Sequence, residues 1–134
     1  MKISFDFDDT LTLHETQVYA SDLIDRGHEV WIVTSRYDLD NLDKRWKSKE
    51  TGEPWKHQDL FKVAEWCGIS KDHIHFTNRA KKAKFLEDND FILHLDDNDL
   101  ELIEIMKNGK VVPINIDYTD WKYECEKIIN KENE

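Results

Sequence analysis

Five short, nearly continuous apolar segments recur along the chain, and each is followed by a polar or amphipathic stretch. We predict that these segments are strands, at residues 3–7, 29–34, 73–76, 91–95 and 111–116. Strands with so few polar interruptions are typical of a parallel sheet that is buried on both faces. Their alternation with helical stretches therefore predicts an α/β fold of three layers, with a central, mainly parallel sheet of about five strands.

The stretches between these segments carry helical periodicity. Helices are predicted within residues 15–27, 59–68, 78–88, 99–109 and 118–130. In the fourth of them, we expect Leu100, Ile103 and Met106 to face the core. Gly27 and Gly68 are predicted to end the first two helices, because glycine adopts the left-handed conformation of a helix C-terminus at little cost.

Length and composition predict one folded domain over residues 1–134. The chain is 39% hydrophobic and 11% aromatic, which is enough for a core although 36% of its residues are charged. The net charge of −10 argues against broad adhesion to nucleic acid or anionic membranes, without excluding a local basic patch.

The compartment is predicted from what the sequence does not contain. No run approaches the ~18 apolar residues of a membrane helix, and Lys2 leads into acidic residues rather than into the apolar centre of a signal peptide. Cys67 and Cys125 match no metal-ligand spacing. We therefore expect a cytoplasmic domain with free thiols and a frayed tail at residues 131–134.

Polar side chains gather where the predicted strands end, at Asp6, Asp8, Asp9, Thr34, Ser35, Arg36, Asp96, Asp97 and Asp99. Because ligands bind beyond the carboxyl ends of strands in such sheets, we expect these groups to meet at one edge. Crowded carboxylates would raise one another's pKa. A hard cation such as Mg²⁺ relieves that conflict, since it prefers oxygen ligands. Three nearby lysines, at 81, 82 and 84, and the hydroxyls beside that cation suit a phosphate group.

These segments resemble the motifs of the haloacid dehalogenase-like (HAD) superfamily of phosphotransferases. DFDDT at residues 6–10 fits its DxDxT signature, VTSR at 33–36 resembles its hydroxyl motif, and LHLDDND at 93–99 resembles its acidic metal motif. The lysine cluster supplies the basic motif, and the order agrees with that of the family. The resemblance implies a Rossmann-like fold. Only 26 positions separate Asp8 from Thr34, so we expect no cap domain.

The resemblance implies Asp6 as the nucleophile that forms an aspartyl-phosphate, which divides one difficult step into two easier ones. It implies Asp8 as the general acid that protonates the leaving oxygen and then, as a base, activates water. If both residues lie on the strand, two positions apart, their side chains share one face and reach the same phosphoryl group.

The resemblance also implies a Mg²⁺ site formed by Asp6, the main-chain carbonyl of Asp8, and either Asp96 or Asp97. The sequence leaves the choice within that pair open. His94, in the middle of its strand, is expected to be a packed residue rather than a ligand.

For phosphate binding, the resemblance implies Thr34 and Ser35 as the groups around the phosphoryl oxygens, with a lysine that neutralises charge in the transition state. We favour Lys82, because the apolar residues after it seat the helix and leave Lys82 at the first turn. Lys81 is the second choice, and Lys84 is not excluded.

Residues 37–57 interrupt the alternation of strands and helices. A loop of about twenty residues in a compact domain is usually functional or mobile. We expect it to overhang the site, and its basic residues with interleaved tryptophans, such as Lys47 beside Trp46, suit phosphodiester backbones and stacked bases. The alternative is a solvated loop whose tryptophans pack on the core. Arg36 is placed to reach a substrate anion through its planar guanidinium group.

The expected function is that of a Mg²⁺-dependent phosphomonoester hydrolase acting on a nucleotide or a polynucleotide 3′-phosphate. Within the superfamily the pattern looks most like the 3′-phosphatase domain of phage polynucleotide kinases or the 5′(3′)-deoxyribonucleotidase group. The alternatives are a phosphatase of a small metabolite, such as a sugar phosphate, and a non-catalytic binding protein of the same fold. The partner is thus a phosphorylated substrate rather than a membrane, and an oligomer stays open.

Overall fold

A computed structural model describes residues 1–38 and 57–132 of the chain. Five strands lie in these ranges: β1 (Lys2–Phe5), β2 (Glu29–Thr34), β3 (Ile74–Phe76), β4 (Leu93–Asp96) and β5 (Val112–Asn115). They form one sheet in the order β3-β2-β1-β4-β5, and every pair of neighbours is parallel. The predicted α/β class with a five-stranded parallel sheet is therefore confirmed.

The α-helices in the described ranges are α1 (His14–Asp25), α2 (Gln58–Cys67), α3 (Ala83–Asp88), α4 (Asp99–Asn108) and α5 (Trp121–Glu132). Helices α1 and α2 contact each other, and so do α3 and α4. Helix α5 joins the first pair, where Trp121 packs edge-on against Tyr19 of α1. Helices thus cover the sheet on both sides in a three-layer, Rossmann-like arrangement.

Two apolar clusters fill the spaces between these layers. The larger one joins alternate residues of the central strands, such as Ile3 and Phe5, to α1, α2 and α5. The smaller one holds Leu86 of α3 and Ile105 of α4. Since successive side chains of a strand point to opposite faces, Ser4 faces the side of α3 and α4. The centre of the sheet on that side is therefore polar.

The predicted inward face of α4 is wrong. Leu100, Ile103 and Met106 are 75%, 50% and 65% exposed, whereas Leu102 and Ile105 are buried. The helix carries apolar residues on two faces, so the period of 3.6 residues fits either of them. Contacts beyond the helix select the second face, where Ile105 joins the cluster that contains Leu86 of α3.

The first strand is shorter than predicted. It ends at Phe5, and residues 7–11 form a helical turn that is interrupted by extended backbone at Asp8 and by left-handed backbone at Asp9 (φ 57°). The expectation that Asp6 and Asp8 share one face of a strand is therefore wrong, because both lie beyond its end.

The third helix begins later than predicted, at Ala83 rather than residue 78. Asn78 and Arg79 have left-handed backbone, with φ of 55° and 69°, which a right-handed helix does not tolerate. Gly27 and Gly68 follow the ends of α1 and α2 with φ of 88°, in agreement with the prediction.

Most of the predicted loop, residues 39–56, lies outside the described residues, and with it Trp46 and Lys47. Helix α5 continues to Glu132, two positions into the segment that was expected to fray. None of the helices in the described part of the chain is long and apolar enough to cross a membrane.

Candidate active site

Two carboxylates from distant parts of the sequence are neighbours at the carboxyl edge of the sheet. Phe5 of β1 is paired with Leu95 of β4, and the main-chain N–H of Asp6 donates to the carbonyl of Leu95 at 2.8 Å. Asp6 follows β1, and Asp96 is the last residue of β4. Both are buried. Parallel pairing of two central strands thus brings them into one buried place.

Lys82 lies between these two carboxylates. Its Nζ donates to Oδ1 of Asp6 at 2.8 Å and to Oδ2 of Asp96 at 2.7 Å, although only 2% of the residue is exposed. Burial acts to lower the pKa of Lys82, but the two carboxylates outweigh it and raise that pKa. The ammonium group is therefore charged.

The two other lysines of the predicted cluster are elsewhere. The side chain of Lys81 is 71% exposed and pairs with Glu104, and Lys84 is exposed on α3. The favoured residue, Lys82, is the one that the structure brings to the carboxylates.

A third carboxylate, that of Asp97, completes a cluster of acids. One ligand oxygen from each of Asp6, Asp96 and Asp97 can be chosen so that all three lie within 4.8 Å of one another. The hydroxyl of Thr10 is within hydrogen-bonding distance of both Asp6 (3.3 Å) and Asp97 (3.2 Å). Three hard oxygen donors this close together, in a partly buried place, suit a hard divalent cation.

The pKa values of the two buried acids are driven apart. Burial raises the pKa of Asp6 to about 8; the charge of Lys82 lowers that pKa, and the charge of Asp96 raises it by a smaller amount. Burial acts in the same direction on Asp96, but the hydrogen bond from His94 and the charge of Lys82 hold its pKa below the usual range. A second positive charge beside Lys82 would favour the ionised form of Asp6. The electrostatics therefore also fit a cation.

Four donors surround the carboxylate of Asp96. Oδ1 accepts the main-chain N–H groups of Asp97 (2.8 Å) and Asn98 (3.1 Å). Oδ2 lies 2.7 Å from Nζ of Lys82 and 2.8 Å from Nε2 of His94. Since a carboxylate offers about four lone-pair positions, those of Asp96 are filled by the protein.

The hydrogen bond between His94 and Asp96 was not predicted from the sequence. His94 is fully buried, as expected of a packed residue, but its ring also reaches Asp96 and, through Nδ1, the hydroxyl of Ser4 at 2.7 Å. The spacing of two residues along β4 was the available signal, because it places His94 and Asp96 on the same face of the strand.

Arg36 pairs with carboxylates of the protein. Its Nε and Nη2 donate to the two oxygens of Asp8, at 3.0 and 2.7 Å, and its Nη1 and Nη2 donate to those of Asp59, at 3.0 and 2.9 Å. Its guanidinium carbon lies 4.9 Å from the ring centre of Phe7. The residue predicted to reach a substrate anion thus connects Asp8 to the first turn of α2. No pattern in the sequence pointed to Asp59.

The predicted phosphate-binding residues Thr34 and Ser35 lie at the carboxyl end of β2, next to β1. The hydroxyl of Thr34 is buried and accepts the main-chain N–H of Arg36 at 3.3 Å. Ser35 is half-buried, and its carbonyl accepts the N–H of Arg79 at 2.8 Å. Thr77, after β3, carries a buried hydroxyl without a hydrogen-bond partner among the described residues.

Comparisons of the chain with models of known families, with curated proteins and with solved structures found no match. The class of site is therefore defined by its own geometry. It is a buried lysine among three carboxylates at the carboxyl edge of a parallel sheet, with hydroxyl groups at the end of the adjacent strand.

Proposed function

We propose that this chain is a Mg²⁺-dependent phosphomonoester hydrolase of the haloacid dehalogenase-like type, with Asp6 as the nucleophile. One observation carries the proposal: Nζ of Lys82 lies within 2.8 Å of both Asp6 and Asp96 at the carboxyl edge of the sheet. Three of the motif segments that are widely separated in the sequence thus supply groups to one small volume. A merely structural ion pair needs neither the third acid, Asp97, nor the hydroxyl of Thr10 beside it.

The acid cluster would hold the cation. We assign Asp6 and Asp97 as direct ligands, together with the main-chain carbonyl of Asp8 that the resemblance implies. Asp96 has its lone pairs filled by four donors, so its charge acts on the cation without a free position for coordination. When bound, Mg²⁺ supplies positive charge that stabilises the developing negative charge on the phosphoryl group.

The course of the proposed reaction is the one that the resemblance implies. A carboxylate oxygen of Asp6 attacks phosphorus, so that an O–P bond to Asp6 forms while the ester P–O bond breaks. The resemblance implies that Asp8 gives a proton to the leaving oxygen and then takes one from the water that cleaves the aspartyl-phosphate, which requires its ion pair with Arg36 to open. Lys82 would neutralise charge next to Asp6, and the resemblance implies that Thr34 and Ser35 at the end of β2 bind the phosphoryl oxygens.

The proposed substrate is a nucleotide or a polynucleotide with a 3′-phosphate. Its support is the resemblance of the motifs and the composition of residues 39–56, in which two tryptophans lie among five basic and four acidic residues. Turnover of a 3′-phosphorylated oligonucleotide, a mononucleotide and a sugar phosphate, measured with Mg²⁺, separates this substrate class from a small metabolite. Replacement of Trp46 and Lys47 by alanine is expected to lower only the turnover of the oligonucleotide.

The nucleophile is tested by two matched substitutions. Asp6→Asn is expected to lower kcat by at least roughly 10³-fold, because an amide is a poor nucleophile, while the fold is kept. Asp9→Asn makes the same chemical change at an exposed residue whose left-handed backbone asparagine tolerates, and it is expected to keep wild-type turnover. Removal of Mg²⁺ with EDTA should abolish turnover, and excess Mg²⁺ should restore it. Wild-type turnover in Asp6→Asn would refute the assignment.

A further inference from the structure

A continuous row of hydrogen bonds runs from the middle of the sheet to the proposed nucleophile. It passes from Ser4 to His94 (2.7 Å), from His94 to Asp96 (2.8 Å), and through Lys82 (2.7 Å) to Asp6 (2.8 Å). All five residues are buried, with at most 6% of any of them exposed. The last three belong to the proposed site. Ser4 and His94 have no part in the reaction as proposed.

The direction of these hydrogen bonds follows from their geometry. The carboxylate of Asp96 accepts hydrogen bonds from Lys82 and from two main-chain N–H groups. Because an ionised carboxylate can only accept, His94 is the donor in their contact, and the proton of its ring lies on Nε2. Nδ1 then accepts from the hydroxyl of Ser4. The alternative acceptor for that hydroxyl, the carbonyl of Leu93, is 3.4 Å away. Asp96 thus fixes the tautomer of His94, and the hydroxyl of Ser4 satisfies the Nδ1 that this tautomer leaves as an acceptor.

A polar row in the centre of a sheet has a cost that apolar side chains would avoid. A buried polar group is tolerated only with its hydrogen bonds made, and a partly satisfied network is worse than an apolar core. On the opposite face of the same strands, apolar residues such as Phe5 and Leu93 fill the equivalent positions. Packing alone therefore does not account for Ser4 and His94.

We infer that His94 is a positioning residue, which holds the Asp96 carboxylate so that Lys82 is directed at Asp6, and that Ser4 holds the ring of His94 in place through its hydrogen bond to Nδ1. The inference rests on the proposed function for its effect on turnover. Its structural part, the placement of Lys82, can be measured without any activity. His94 acts through Asp96 and touches neither the substrate nor the phosphoryl group.

The placement of Lys82 is tested by amine labelling under native conditions, followed by mass spectrometry of each lysine. In the wild type, buried Lys82 is expected to react far more slowly than exposed Lys81 and Lys84, which serve as internal references. His94→Leu removes the donor and should raise the labelling rate of Lys82 several-fold while the two references stay unchanged. His94→Gln places an amide N–H where Nε2 was, and it should restore slow labelling.

The effect on catalysis is tested with the same variants. His94→Leu is expected to lower kcat about tenfold or more with KM within about twofold, since an oriented charge is lost and no substrate contact is removed. His94→Gln should recover most of kcat. Ser4→Ala should cause a smaller loss in the same direction. The double variant Ser4→Ala, His94→Leu should have the same kcat as His94→Leu alone, because both substitutions interrupt the same row of hydrogen bonds.

Leu93→Ala is the matched control. Leu93 is buried next to His94, but it points to the other face of β4 and does not touch the carboxylates. If this control increases Lys82 labelling or lowers kcat as much as His94→Leu at a comparable loss of Tm, the effect is general destabilisation and the inference fails. It also fails if His94→Leu leaves Lys82 labelling unchanged, or if His94→Gln does not rescue it.

These readouts separate the inference from the proposed function. Wild-type protein that hydrolyses no phosphomonoester but shows the expected labelling pattern would overturn the proposed function and support the placement of Lys82 by His94. Active wild-type protein whose His94→Leu variant keeps its kcat and its slow labelling would support the function and overturn the inference.

Discussion

At the scale of single residues, the ammonium group of Lys82 is a buried charge that depends on two carboxylates for its stabilisation. Lys82→Met removes the only countercharge that the described residues place between Asp6 and Asp96, and leaves two buried carboxylates close together. We expect the free energy of unfolding to fall by roughly 3–5 kcal/mol, as for other buried ion pairs that lose one partner. Urea denaturation of the metal-free protein measures this change.

Lys81→Met is the control for that prediction. The Lys81 side chain is 71% exposed, and its pair with Glu104 spans 3.6 Å, so the same substitution should change the free energy of unfolding by less than about 0.5 kcal/mol. Equal losses in the two variants would mean that the Lys82 pairs contribute nothing specific to stability.

The choice of Lys82 among three lysines could be predicted because the apolar residues after it pack α3 against the core, although this helix begins at Ala83 and not at residue 78. The bond from His94 to Asp96 could not be predicted in the same way. Asp96 lies two residues from His94 on the same strand, but a histidine in an apolar strand is also compatible with simple packing, and only the register of β1 against β4 places Ser4 beside its ring. Contacts that depend on register are invisible in one strand alone.

At the scale of elements, α4 offers a direct test of which face is buried. Ile105 is 1% exposed and Ile103 is 50% exposed, and both lie in the middle of the helix. Ile105→Ala is expected to cost roughly 2–5 kcal/mol of unfolding free energy because it leaves a cavity, whereas Ile103→Ala should cost less than about 1 kcal/mol. Thermal or urea unfolding of the two variants checks the difference. The reverse order would support the face that the sequence predicted.

The elements differ in how far the sequence determines them. Strands were predictable, because an apolar run bounded by polar residues has few other structures open to it, and β2 agrees at both ends. The end of β1 could not be predicted, because the backbone of Asp6 is itself extended. The chain turns away from the direction of the strand only at the turn that contains Asp9. The inward face of α4 was undetermined, because apolar residues occupy two of its faces. That face is set by the neighbours of α4 rather than by the helix itself.

At the scale of the whole molecule, the two sides of the sheet differ in how apolar their side chains are. The side of α1, α2 and α5 carries the larger apolar cluster. The side of α3 and α4 carries the smaller cluster together with the polar row that ends at Asp6. Stability is thus concentrated on one side, and the costly buried charges lie on the other, next to the carboxyl edge. One face of β1 and β4 is thus held by apolar packing, while the other face carries the polar side chains that lead to the proposed site.

The apolar side also makes a prediction about alkaline stability. Burial raises the pKa of the Cys67 thiol to about 11 and that of Cys125 to about 12, from an ordinary value of 9.0, and it raises the pKa of Tyr19 above its usual range as well. Above pH 9 the unfolded chain loses these protons while the folded chain retains them, so the folded state binds more protons and stability falls as pH rises. Their contribution is complete below pH 9 and is lost as pH rises toward 11–12. Urea midpoints measured between pH 8 and pH 11 should therefore decline. The decline should be shallower in the double variant Cys67→Ala, Cys125→Ala, which lacks two of the three groups, and parallel curves for the two proteins would contradict the assignment of the decline to the buried thiols.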